Sequence, residues 1–445
     1  MNLKEKNKKG IELYQKAKEI IPGGTGLLSK RPEMFLPDLW PSYYQKAKGC
    51  YVWDLDDNKY LDFSSMGIGA CILGYADDDV NQAVKEAIDN GSMNTLNCPE
   101  EVELAQMLLK IHSWAGMVRF ARTGGESMAV AVRIARAFSG KDKIAFCGYH
   151  GWADWYLAAN LADDKNLDGH LLAGLTPNGV PRGLAGTMLP FHFNKIEELE
   201  KIVKENQGIG LIVMEPMKFQ EDTSDFLTKV RRIATQINAV LIFDEITVGF
   251  RFNIGGAHLE LGITPDMAVF AKGISNGFPM GAIIGKKEIM QAAQTSFISS
   301  TYWTERIGPT AAIATINKMA RENVPEYLEK IGLAIKMNLL ELAKRHNIDL
   351  TVEGKPAMLH ITFNYFNHQA IRTLFTQEML KRGVLASGGI YVSLAFEEKH
   401  LKEYFKAVDE VFPILAKSIE ANRVETDLEG PIAHSTFQRL NSIIS

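Results

Sequence analysis

Residues 240–272 read VLIFDEITVGFRFNIGGAHLELGITPDMAVFAK: two short apolar runs, a glycine-rich crossover between them, and charged side chains where each run stops. VLIF has no polar alternation, which fits a central strand buried on both faces of a parallel sheet. Asp244 and Glu245 close that strand, at the carboxyl edge where ligands collect in open α/β sheets. A carboxylate buried there needs a cationic or hydrogen-bonding partner, or it is driven neutral. The same pair also reads as an acidic cap on the next segment. Lys272 follows Asp244 by 28 residues, one strand–helix–strand step. A lysine at such a place either snorkels to solvent or is desolvated, and a desolvated amine is a nucleophile suited to a Schiff base.

The alternation continues upstream. MVRFAR precedes ESMAVAVRIARAF, KIAFC follows, and GLIVM precedes DFLTKVRRIATQIN, so β-rich runs and amphipathic stretches take turns. This pattern predicts an α/β fold, a mostly parallel sheet covered by helices. After about residue 315 the pattern gives way to longer helices around LTVEG and MLHITFNYF, the mark of a smaller α+β domain. The expected division is an N-terminal segment 1–50 that contributes to the small domain, a large domain 51–315 and a C-terminal small domain 316–445. Residues 160–186 form a long, glycine-rich, weakly periodic stretch; a loop of that length inside a compact domain has a job or is disordered.

Two more turns follow predicted strands. In RFARTGGES the strand runs into Thr123-Gly124-Gly125 and a helix is expected from about Glu126. Glycines at a strand-to-helix turn let backbone N–H groups approach an anion, with the helix N-terminus adding positive charge. By itself the stretch reads equally as a tight turn capped by Thr123. In CGYHGWADWY, Tyr149 and His150 stand where a planar ring could stack, and the aromatic residues beside them read as core. Taken in order, a phosphate cradle, a stacking aromatic, a buried aspartate and a reactive lysine are the parts required by pyridoxal 5′-phosphate, which serves as an electron sink.

Bulk composition narrows the alternatives. The chain has 445 residues, 46% apolar and 23% charged, and a formal charge of -4, so a dedicated nucleic-acid surface is not expected. No apolar run approaches the length of a membrane span, and the basic start MNLKEKNKKG leads into an amphipathic stretch and not into a signal-peptide core. Cys50, Cys71, Cys98 and Cys147 show no CxxC spacing, so reduced thiols in a cytoplasmic protein are expected and a zinc site is not.

The order and wording of these motifs resemble the class III (subgroup II) aminotransferases, and within them the glutamate-1-semialdehyde 2,1-aminomutase group. The similarity runs from IPGG and AKGCYVWDLDDNKYLDF through MVRFARTGGES, GYHGWADW and MEPM to LIFDEITVGFR and AKGISNGFPMGAIIG. The resemblance implies the fold-type I architecture: a large, mainly parallel seven-stranded domain, a small α+β domain, and an active site at a homodimer interface. It implies an internal aldimine on Lys272, which also carries a proton between Cα and the cofactor, and Asp244 paired with the pyridine nitrogen. Ile246 would pack on one face of the ring and Tyr149 on the other, with His150 beside it. Gly124 and Gly125, next to Thr123, would bind the phosphate. Thr301 would reach the neighbouring subunit's phosphate, and Glu215 and Gln220 would flank the cofactor near its phenolic oxygen. The implied reaction is ping-pong transfer from a small amino donor to a carbonyl acceptor through pyridoxamine 5′-phosphate.

The sequence departs from the resemblance mainly in the substrate positions. The family's Ser-Gly-Thr phosphate turn is Thr123-Gly124-Gly125 here. A serine, a tryptophan and a glutamate of the mutase pocket fall at Leu27, Met66 and Gly388. These changes favour an intermolecular transaminase over the intramolecular aminomutase. The retained Lys272 and Asp244 argue against a catalytically silent binding protein. Trp152, Trp155, Tyr156, Tyr302 and Trp303 are a candidate set for facing a polyhydroxylated substrate.

Overall fold

The computed structural model describes residues 2–217 and 224–437. The chain forms two compact units, residues 78–326 and residues 1–77 with 327–445.

The unit of residues 78–326 is built on a seven-stranded sheet. Its strands are β1 (Met117–Ala121), β2 (Lys143–Cys147), β3 (Met188–Pro190), β4 (Ile209–Met214), β5 (Val240–Asp244), β6 (Met267–Phe270) and β7 (Gly281–Gly285). The spatial order is β1-β7-β6-β5-β4-β2-β3. β7 runs antiparallel to both its neighbours and the other pairings are parallel. Every residue of β4 to β7 is buried. Alternate residues go to opposite cores: Leu211, Val213 and Ile242 pack with Met128 and Ile134, while Ile212, Met214, Leu241 and Phe243 pack with Phe226, Leu227 and Val230. The period of two divides each apolar strand between two helical layers, which is why these strands carry no polar face. β3 and β7 were not among the strands expected from the sequence. β3 is three residues long, and β7 lies inside the glycine-rich GAIIG, where glycine weakens a strand pattern.

Register sets the geometry of the sheet's edge. Cys147 is paired with Met214, Met214 with Phe243, Asp244 with Val269, and Ala121 with Gly281. The segments leaving β1, β2, β4, β5 and β6 therefore emerge along one carboxyl edge, which gathers residues 122–125, 148–151, 215, 244–247 and 271–272. Residues 160–186 lie against the same unit. Leu167 and Val180 enter its core, Asn160 brackets the loop through Leu175 O (2.6 Å) and Leu167 N (2.9 Å), and His170 Nδ1 accepts the Gly148 N–H at 3.2 Å.

The other unit contains a sheet of Tyr44–Lys48, Tyr51–Asp54, Lys59–Asp62 and Val384–Leu385, and a three-stranded antiparallel sheet of Leu350–Glu353, Met358–Phe363 and Gly389–Tyr391. The division after residue 50 expected from the sequence falls inside the first of these sheets, since Tyr51 pairs with Lys48 and Leu61 with Val384. At the other boundary, helix Ile307–Arg321 packs on helices Asp78–Asp89 and Pro99–Ile111, so residues 316–321 stay with the large unit. A strand partner distant in sequence decides the first boundary and helix packing the second, and composition registers neither.

Candidate active site

At the end of β1 the helix begins at Gly124, two residues earlier than the sequence reading, with Thr123 extended as its N-cap. The Arg122 and Thr123 N–H groups donate to the Glu126 carboxylate at 2.9 and 3.3 Å. The first-turn N–H groups of a helix have no intrahelical partner and point outward, and Thr123 beside them is exposed. A Cβ on Gly124 would stand 3.1 Å from Ile246 Cδ1, and one on Gly125 3.1 Å from Trp152 Nε1. Both positions thus hold a turn that a side chain would crowd. Arg122 fastens a second segment here: its Nη2 donates to Trp303 O (2.9 Å) and Glu305 O (2.8 Å), and Nε lies 2.8 Å from Glu305 Oε1. Thr301 opens that turn, exposed.

Asp244 is buried at the end of β5. Its Oδ2 lies 2.8 Å from His150 Nδ1, and its Oδ1 accepts the Ile246 N–H at 3.1 Å. His150 Nε2 in turn faces Cys147 O at 3.2 Å. Both ring nitrogens of His150 thus face oxygen atoms, which fixes the orientation of the ring. Tyr149 donates its N–H to Glu215 Oε2 at 3.3 Å, and its ring meets Tyr156 edge-on at 5.8 Å. Burial, and then the Asp244 charge, push the Tyr149 phenol above its ordinary range. Gly148 precedes it at φ +116°, where a Cβ would lie 2.6 Å from Glu215 Oε2, so this turn requires glycine.

Lys272 stands two residues beyond β6, at the start of a 3₁₀ turn, with φ +49°. A left-handed lysine is strained, and such strain clusters where a side chain must be aimed. Its Nζ donates to Thr247 Oγ1 at 2.8 Å. Burial and then the Arg251 charge push the amine below the ordinary lysine range, while Asp244 and Glu215 pull it back up. Arg251 is itself buried, and its Nε donates to Thr247 O at 2.8 Å.

The two acids that end β5 are aimed differently. Glu245 accepts from Ala257 N (2.8 Å), His258 N (2.9 Å) and His258 Nδ1 (2.8 Å). It ties the crossover helix to the strand while Asp244 faces His150, as successive strand residues point to opposite sides. Behind it, Trp114 Nε1 donates to His258 Nε2 at 3.0 Å, and His112 stacks on His258 at 5.4 Å.

The edge thus brings together Thr123, Gly124, Gly125, Tyr149, His150, Glu215, Asp244, Ile246 and Lys272, and Arg122 links Thr301's turn to it. Gln220 lies outside the described residues. Thr247 and Arg251 were within the quoted motif but received no role from sequence, because which turn residue meets the lysine depends on pairing between β5 and β6. The aromatic set divides: Trp155 and Tyr156 are buried in the core, as the core reading of Trp155 expects, whereas Trp152, read as core beside it, is exposed, as is Tyr302.

A half-buried amine with a lowered affinity for protons, a carboxylate held by a histidine, and a glycine turn at a helix N-terminus match the donor set of a phosphorylated aldehyde cofactor. Residues 38–412 match the family profile of the class-III aminotransferases, and the chain belongs to that family. It is a PLP-dependent aminotransferase, with pyridoxal 5′-phosphate as its cofactor. A curated relative, the 3-aminobutyryl-CoA aminotransferase of Cloacimonas acidaminovorans, is 30% identical over 388 residues, covering 84% of this chain and 89% of the relative. The FumI protein of Sphingopyxis sp. MTA144, solved in its PLP internal aldimine form, superposes with a TM-score of 0.83 at 24% identity, over 93% of this chain and 98% of that one. A glutamate-1-semialdehyde-aminomutase from Pseudomonas aeruginosa gives 0.78 at 17% identity, over 93% and 96%. At these identities the two solved structures speak to the fold alone.

Proposed function

We propose that this aminotransferase works through Lys272 at the carboxyl edge of the seven-stranded sheet. The observation that carries the assignment is the Lys272 amine itself, half-buried and shifted toward its neutral form at the same edge as Asp244. Bound there, the cofactor supplies an electron sink and an aldehyde carbon that exchanges amino groups. Lys272 would be the amine that holds the cofactor's aldehyde carbon, and once freed by the donor's amine it would be the base placed to move the donor's Cα proton. Asp244, held by His150 and the Ile246 N–H, would keep a proton on the pyridine nitrogen. Tyr149 and Ile246 would pack against the ring. The first-turn N–H groups at Gly124 and Gly125, with the Thr123 hydroxyl, would hold the phosphate, and Glu215 supports the Tyr149 turn.

The working unit we propose is a homodimer in which Thr301 approaches the partner's phosphate. Supporting it, Leu96, Val102, Phe297 and Tyr302 are between 60% and 87% exposed, and an open groove of about 370 Å³ is lined by Val102, Val118, Ser300 and Trp303 next to Thr301. A cytoplasmic location agrees with four free cysteines, and no helix of the described residues is long and apolar enough to cross a membrane. The first donor to assay is 3-aminobutyryl-CoA, the compound named in the relative at 30% identity. Borohydride reduction of the purified protein and peptide mass mapping test the assignment: the cofactor mass is expected on Lys272, and a label on another lysine refutes it.

A further inference from the structure

We propose that Thr247 is a positioning residue for Lys272: its hydroxyl is the partner that holds the amine whenever Lys272 is not bonded to the cofactor. The inference rests on the assignment of Lys272 as the cofactor-bearing lysine. The contact is direct, 2.8 Å from Nζ to Oγ1. The charged groups acting on the amine are Arg251, Asp244 and Glu215. The two carboxylates accept hydrogen bonds and cannot donate when ionised, and the guanidinium only donates. A hydroxyl does both. It accepts from the ammonium and, by rotating, donates to the lone pair of the neutral amine, so Lys272 keeps one resting position through its protonation cycle.

The hydroxyl is also well anchored. Thr247 O accepts from Arg251 Nε at 2.8 Å, Gly249 N donates to Glu245 O at 2.7 Å, and Arg251 N donates to Val248 O at 3.3 Å. Threonine's β-branched side chain has few rotamers on such a turn. The turn is fixed at its other end by the three N–H groups that Glu245 accepts. Lys272, held at φ +49°, carries a long and otherwise mobile side chain. The hydroxyl compensates for that freedom by giving the amine a fixed rest point on the neighbouring strand's turn.

The test follows loading of pyridoxal 5′-phosphate onto the cofactor-stripped full-length protein by absorbance, from about pH 6 to about pH 10, around the range where a buried lysine titrates. Wild type, Thr247→Val, Thr247→Ala and Thr247→Ser are compared, with circular dichroism as the folding control and peptide mapping of the reduced product. The loading rate rises with pH as the amine is freed of its proton. The charge-assisted bond to the ammonium is stronger than the bond to the neutral amine, so losing both should move the half-rise of the Val variant to lower pH, by about half a unit to one unit. The Ser variant should stay at the wild-type position, and the Ala variant should follow Val, or stand in for it if Val does not fold. Superimposable Val, Ala and wild-type profiles, or a Ser profile displaced as far as Val, overturn the proposal while leaving Lys272 in place. A label on a different lysine in the wild type overturns the underlying assignment as well.

Discussion

Replacing His112 by phenylalanine should make this aminotransferase less sensitive to acid. His112 caps helix Pro99–Ile111, with Nδ1 donating to Leu108 O at 3.0 Å. Among the described residues its Nε2 is buried without a hydrogen-bond partner, and its ring packs on His258 at 5.4 Å and Phe270 at 5.1 Å. Burial, and then the proximity of His258, push it from 6.5 down to about 4. A histidine held neutral in the fold takes up a proton more readily when unfolded, so the unfolded state binds more protons between those two values. Stability is therefore fully present above about pH 6.5 and is lost as pH falls toward 4. At roughly 1.4 kcal/mol per pH unit the loss attributable to this one ring is ~3 kcal/mol. Phenylalanine keeps the stacking and gives up the bond to Leu108 O, about 1 kcal/mol at neutral pH. Wild type should thus be the more stable protein near pH 7.5 and the variant the more stable near pH 4, a crossing of the two curves. Urea unfolding followed by tryptophan fluorescence at several pH values measures both; the other titrating groups are common to the two proteins and cancel in the difference. Curves that stay parallel from pH 6.5 to pH 4 would refute the reasoning.

Lys272→Ala should abolish amino transfer and leave the cofactor-free protein at least as heat-stable as wild type, because a desolvated amine costs stability below its own pKa; thermal melts and turnover assays check both. Glu245→Gln leaves one carbonyl oxygen facing three buried N–H donors, a loss of ~1–3 kcal/mol for each donor stranded, measured by urea unfolding, with turnover falling as Asp244 shifts. Gly148→Ala forces a Cβ to 2.6 Å from Glu215 Oε2 at φ +116° and should lower stability by ~1–3 kcal/mol in thermal melts. Gly125→Ala meets Trp152 Nε1 at 3.1 Å, and because Trp152 is exposed and can yield, the expected change is weaker cofactor retention in equilibrium dialysis with little change in melting temperature.

The sequence by itself determined the strands β1, β2, β4, β5 and β6, most plainly β4 to β6, because a strand buried on both faces must be continuously apolar and few other segments can be. It also marked Asp244 and Lys272, since charges that end such strands are conspicuous, and it marked the glycines at 124 and 125, whose missing side chains leave backbone exposed. Composition could not say which of two adjacent acids faces the site. Glu245 and Asp244 look alike in the chain, and only the pleat sends one to the His258 ring and the other to His150. Nor could it join Arg122 to the turn at Thr301, about 180 residues away, or bring Thr247 under the Lys272 amine. It also could not assign Tyr51–Asp54 to a sheet completed by Val384–Leu385. These relations depend on strand register and on contacts distant along the chain, and hydrogen-bond pairing fixes them only once the whole sheet has assembled.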